Sequence, residues 1–207
     1  MALAIFIPAG TTDYWQAWLF LAVFIGSGAA ITAYLVKHDP RLLERRMRGG
    51  PAAETRPAQR LAMSLVSIGF IVLLVVPGLD RRFGWSHVPA AVVLGGEALI
   101  LIGWAIVAAV IRVNPFASAT IETPADQRVI SSGPYAVVRH PMYAGGTLYL
   151  IGIPIALGSW WGLCVLAVLV PALIWRLLDE ESALTRQLAG YAAYRERVKY
   201  RLLPLVW

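Results

Sequence analysis

This chain reads as an all-α protein, a polytopic membrane helix bundle of about five transmembrane helices. The last two form a tight hairpin, and a cytoplasmic loop and a C-terminal amphipathic helix complete one domain, 1–207. Three features carry that reading. The 207 residues are 58% hydrophobic and 14% charged, more apolar surface than a soluble domain of this size can bury. The apolar residues fall in long runs. The basic residues gather on one side of those runs.

Taken in order, Trp15–Val36, Leu61–Leu79 and Val88–Ile111 are each long enough to cross a bilayer, which takes ~20 apolar residues in a helix. Only Gly158 and Ser159 separate Met142–Leu157 from Trp160–Leu178, so these two read as a helical hairpin. At ~1.5 Å per residue its first arm is only about 24 Å long. A hairpin returns the chain to its starting face however deep the arm reaches.

Of the 18 lysines and arginines, seven lie in 37–60, three in 112–139 and six in 176–201, while Arg81 and Arg82 stand alone on the other side. The positive-inside rule then places the N-terminus outside and the C-terminus in the cytoplasm. Trp15, Trp85, Trp160 and Trp161 fall at outer segment ends, where amphipathic rings favour the headgroup layer. The net charge of +6 therefore belongs to a basic face against anionic lipid, and no nucleic-acid partner is expected. Cys164 is the only cysteine, which excludes a disulfide framework and a thiolate metal site. His38, His87 and His140 form no ligand spacing, so no metal is expected. The opening "MALAIFIPAG" lacks the basic region of a signal peptide, and no cleavage is expected.

Two connections on the basic side are long. Residues 112–141 number thirty and 179–207 number twenty-nine, whereas helix connections usually take about two to eight. Long connections that end on one face suggest a shared task, so 114–146 and 176–204 form the candidate site. In the tail, Leu184, Leu188, Tyr191 and Tyr194 keep three- and four-residue spacing, the pattern of an amphipathic helix running on from the last span towards Pro204. Arg48–Gln59 reads as a linker.

The stretch "GPYAVVRHPMYAGG", Gly133–Gly146, concentrates polar chemistry. Pro141 suits the first turn of a helix, with His140 at the cap and Tyr143 within that turn. Such a helix end attracts carboxylate or phosphate. Arg139 adds positive charge, and Tyr135 and Tyr143 offer ring faces to a cation or a heteroaromatic ring. An equally direct reading is an interfacial belt, with Arg139 on lipid phosphate and the tyrosines anchoring the helix. Farther on, Arg176 and Glu180 share a helical face, with Asp179 and Glu181 beside it. An arginine inside an apolar run must snorkel or meet an anion. Glu97, about ten residues into the third span, is expected to face the interior and pair with a polar neighbour.

The segments "QRVISSGPYAVVRHPMYAGG", "WRLLDEESAL" and "YAAYRERVKYRLLP" together resemble the isoprenylcysteine carboxyl methyltransferase family and the related phospholipid methyltransferases, over roughly Asn114–Pro204. The resemblance implies an integral membrane methyltransferase that uses S-adenosyl-L-methionine and acts on a lipophilic acceptor in the bilayer. Its first candidate reaction is carboxyl O-methylation of an isoprenylcysteine-like substrate. Phospholipid N-methylation is the alternative, and a non-catalytic lipid- or partner-binding protein is a third reading. No glycine-rich fingerprint of the soluble nucleotide-binding fold is present. The resemblance places cofactor contacts at Gln127, Arg128, Val129, Ile130, Tyr135, His140, Pro141, Met142, Tyr143 and Glu180. It turns Arg176 towards the acceptor carboxylate; Arg176 and Arg139 are the candidate catalytic residues. A prenylcysteine carboxylate, with pKa near ~3.5, is already a nucleophile at neutral pH. An ammonium acceptor would need a base, with Glu180, Glu181 or Glu97 as candidates.

Overall fold

A computed structural model describes residues 1–54, 56–120 and 127–207. Among them the chain forms eight α-helices: α1 Ala2–Ala9, α2 Trp15–His38, α3 Pro40–Met47, α4 Pro57–Phe83, α5 Ala90–Val113, α6 Pro141–Ala156, α7 Leu166–Gln187 and α8 Tyr191–Arg197. Short 3-10 turns occupy Pro51–Ala53, Gly133–Ala136 and Trp161–Val165. Four helices are long and apolar enough to cross a membrane: Trp15–His38, Pro57–Phe83, Ala90–Val113 and Trp161–Gln187. The fold is a polytopic membrane helix bundle.

The expected fifth span is α6. Pro141 fixes its start, and Gly158, with φ 71°, turns the chain just past its end. The helix has 16 residues and is shorter than the four spanning helices. It lies along α5, in close backbone contact with it. A Cβ at Gly103 would sit 2.5 Å from the Gly145 carbonyl oxygen, and one at Gly152 would sit 2.7 Å from that of Gly96. Glycines seven residues apart on each helix therefore let two backbones touch at two levels, as small residues do in membrane packing. Gly103→Val is expected to cost about 1–3 kcal/mol by overpacking. Gly95→Ala, one residue from that seam and with nothing within 4 Å, should be close to neutral. Thermal unfolding of both variants in detergent checks the contrast.

The spans run past the apolar stretches because charge does not stop a helix. α4 carries Asp80, Arg81 and Arg82 in its last turns. Asp80 is buried and accepts from the Ser86 amide at 2.7 Å, from the Ser86 hydroxyl at 2.6 Å and from the Ser159 hydroxyl. This carboxylate pins the α6–α7 turn to the end of α4. Tyr14, at the start of α2, donates to the carbonyl of Leu157. These contacts set the depth of α6, and with it the position of its opposite end, His140.

The basic face departs from expectation in two places. Arg48–Gln59 is not a free linker: Pro51–Ala53 turns, and Glu54 and Gln59 are both buried. The tail is not one continuous helix either. α7 ends at Gln187, Gly190 adopts φ 82°, and α8 starts at Tyr191. The apolar spacing runs across the break because Leu188, Tyr191 and Tyr194 still bury together.

Candidate active site

A cavity of about 570 Å³ lies among α4, α5, α6 and α7 beneath the connections of the basic face. Its size suits a small-molecule site, typically ~300–1,000 Å³. One part is apolar, walled by Met63, Val66 and Phe70 of α4, Leu150 of α6 and Leu173 of α7. The other part is polar and is closed by the 114–120 segment, the 127–140 segment and the tail.

Three arginines hold the roof. Arg45 donates to the Pro115 carbonyl, Arg46 to that of Ala117 at 2.9 Å, and Arg176 to that of Ala119 at 3.0 Å. Alternate carbonyls of one segment are thus gripped from α3 and α7. Next to this roof, Gly133 with φ 59° starts the 3-10 turn that delivers Tyr135. The Tyr135 hydroxyl accepts from Asn114 Nδ2 at 2.6 Å, and its carbonyl accepts from the Tyr194 hydroxyl at 2.7 Å. Burial pushes the Tyr135 hydroxyl up to about 12, so it stays a neutral phenol.

His140 caps α6 without a side-chain capping bond, so the amides of the first turn that follow Pro141 take no partner from its side chain. Its own backbone N–H donates to the Arg201 carbonyl, and the Arg139 N–H donates to the Tyr200 carbonyl, both at 2.9 Å. The α6 entry is thereby paired with the C-terminal tail. Glu181 reinforces the pairing from below. Its carboxylate meets Arg139 Nε at 2.7 Å, Arg201 Nε at 2.8 Å and Arg195 Nε at 3.7 Å. His140 Nε2 lies 3.9 Å away, beyond hydrogen-bond reach. Arg139 also donates to the carbonyls of Val198 at 2.9 Å and Lys199 at 3.0 Å. Its charge, expected at the helix end, is spent on the tail.

One residue earlier in α7, Glu180 turns to the cavity instead and accepts from the Tyr143 hydroxyl at 2.6 Å. Arg176, one turn back, also borders the cavity. Its guanidinium already holds a carboxylate: Glu54 Oε1 lies 2.7 Å from Nη1, which also donates to Gln59 Oε1 at 2.8 Å. Gln59 and Arg56 in turn bind Asp179. Among the described residues, no group of three or more His, Cys, Asp or Glu side chains is placed to hold a metal ion.

The sequence-derived candidates fall as follows. Gln127, Arg128, Val129 and Ile130 line the cavity, as do Tyr135, Arg139, His140, Met142 and Tyr143 and, from α7, Arg176 and Glu180. Pro141 is buried but is not part of the wall. Glu97 is buried, but among the described residues neither of its oxygens has the hydrogen-bond partner expected for it. Residues 121–126 of the candidate segment 114–146 lie outside the described residues. Sequence reasoning missed Arg46, Glu54, Gln59, Asn114 and the Trp104–Tyr149 ring pair, stacked at 5.5 Å. For Arg46 a signal existed in "HDPRLLERR", where Asp39 and Pro40 are a helix-start pair.

Part of the sequence has a counterpart among known protein families. Residues 91–191 match the family model of phospholipid methyltransferase, PEMT. A comparison with curated proteins gives no match. The matched stretch carries α5, α6, α7 and the α6 entry with its Tyr143–Glu180 contact, while α3 and α4 lie before it. Over this stretch the chain is similar to the phospholipid methyltransferase family, within the group of membrane methyltransferases that includes the isoprenylcysteine carboxyl methyltransferases.

Proposed function

We propose that this protein transfers a methyl group from S-adenosyl-L-methionine to the carboxylate of an isoprenylcysteine-like lipophilic acceptor, at the cytoplasmic surface of its membrane. One observation carries the reading. A continuous cavity joins a polar compartment, built from both long connections, to an apolar wall of α4, α6 and α7. A soluble donor and a lipid acceptor need these two environments side by side.

The residues present suit the donor. The Gln127 side-chain oxygen, the Trp104 indole N–H and the Tyr191 hydroxyl are buried in the cavity wall without hydrogen-bond partners among the described residues, and buried polar atoms of this kind call for a ligand. The uncapped start of α6 favours the donor's carboxylate. The ring faces of Tyr135 and Tyr143 and the carboxylate of Glu180 favour a cation. S-adenosyl-L-methionine, when bound, supplies a methyl group on a positively charged sulfur. Tyr143 and Glu180 fix one another and so hold that part of the wall rigid. Arg176, neutralised by Glu54, offers directed N–H groups to the acceptor. Alignment of this kind can contribute several kcal/mol or more to the rate. An acceptor carboxylate needs no base.

Phospholipid N-methylation is the second reading, favoured by two observations: Arg176 already carries the Glu54 carboxylate, and Glu180 borders the cavity. Glu180 would then take the ammonium proton. Purified protein, membrane lipids, prenylcysteine analogues and labelled methyl donor decide between them. Base-labile methyl ester supports the first reading, and base-stable methylated headgroup supports the second. Calorimetry with the donor tests both, because a protein that binds none is no methyltransferase.

A further inference from the structure

We infer that Arg46, in α3, is an anion-binding residue of the acceptor subsite in addition to Arg176, at a position outside the family-matched stretch. The inference rests on the methyltransferase reading, since it assigns a place to that reaction's acceptor.

Four arginines border the cavity: Arg46, Arg128, Arg139 and Arg176. Arg139 and Arg176 each have a buried carboxylate at 2.7 Å, and Arg128 is exposed. Arg46 is partly buried, and among the described residues it has no carboxylate partner. Its only hydrogen bond among them, from Nη1, goes to the neutral carbonyl of Ala117. Among the described residues, the titratable groups that act on its charge are the phenols of Tyr149 and Tyr135. Burial lowers its tendency to hold a proton, so the fold keeps a cation where a cation is disfavoured. The remaining N–H groups of its fork suit an oxyanion.

α3 is built to hold that fork still. Asp39 caps it, accepting from the Leu42 amide at 2.9 Å, and Leu42 is fully buried against Leu35, Val107 and Ile111. Arg46 is thus fixed near the Trp104–Tyr149 stack. The Trp104 N–H, unpartnered among the described residues and in the same cavity wall, is a second donor for the same anion. Tyr149 lies nine residues beyond His140, about 13 Å along α6, so this place is membrane-ward of the helix end that suits the donor. The anion is a carboxylate at the end of a prenyl chain or the phosphodiester of a glycerophospholipid; a guanidinium accepts either.

The test uses the full-length protein in nanodiscs, with a farnesylcysteine analogue and phosphatidylethanolamine as separate acceptors. Arg46→Gln is expected to raise acceptor KM about tenfold or more, the scale of a hydrogen bond to a charged group, with the calorimetric donor Kd unchanged. Arg46→Lys should recover part of the loss and serves alone if the glutamine variant does not fold. The acceptor whose KM moves identifies the anion. An unchanged acceptor KM, or a weakened donor Kd, overturns the inference while wild-type turnover leaves the methyltransferase reading intact. A wild-type protein that neither binds donor nor methylates either lipid overturns that reading and this inference together.

Discussion

Glu181→Ala is expected to destabilise the folded protein by about 3–5 kcal/mol, the scale for breaking a buried ion pair by removing one partner. Glu181 and Arg139 are both only about a twentieth exposed, so water cannot replace the lost carboxylate. Arg201 would lose its contact at the same time. The damage should not stay local, because the α6 entry is paired with residues 200–201 directly above this carboxylate. Thermal unfolding in detergent should therefore fall together with donor binding. Glu181→Gln keeps an acceptor for the two arginines but not the charge, and it should lie between wild type and alanine. An alanine variant that melts like wild type would show that the tail is held by something else.

The long helices were legible because run length alone separates a span from a loop. The start of α6 was legible from Pro141. Its shortness was too, since Gly158 follows so closely. What sequence could not supply was the division of labour between neighbours. Glu180 and Glu181 are adjacent, and a helix turns ~100° per residue, so one faces the cavity while the other faces the tail; nothing in "DEES" says which. Glu54 was hidden for a different reason. Its partner Arg176 is 122 positions away, and a carboxylate in a Gly-, Pro- and Ala-rich stretch reads as solvated until tertiary packing covers it. The break at Leu188–Gly190 was hidden because the apolar spacing on either side stays in register. The apolar wall from α4 was placed correctly as a span, but only the fold turns Met63, Val66 and Phe70 towards α6 and α7.

Arg176→Gln is expected to cost about as much stability as Glu181→Ala, again about 3–5 kcal/mol, because Glu54 would be left charged and only 3% exposed. The test lies in adding the second change. Glu54→Gln alone should also destabilise, by leaving Arg176 buried and unpaired. The double variant removes both charges, keeps amides that can bond Gln59 and the Ala119 carbonyl, and should recover most of the loss. Its coupling energy, read from the four unfolding curves, is the measure of direct pairing. Turnover should behave otherwise. If Arg176 orients the acceptor through its N–H groups, the double variant folds and binds donor but does not regain acceptor turnover, whereas a strut that only holds Glu54 would let activity return with stability. Stability restored without activity is the expected result; a double variant no more stable than Arg176→Gln would contradict the pairing from which both expectations are drawn.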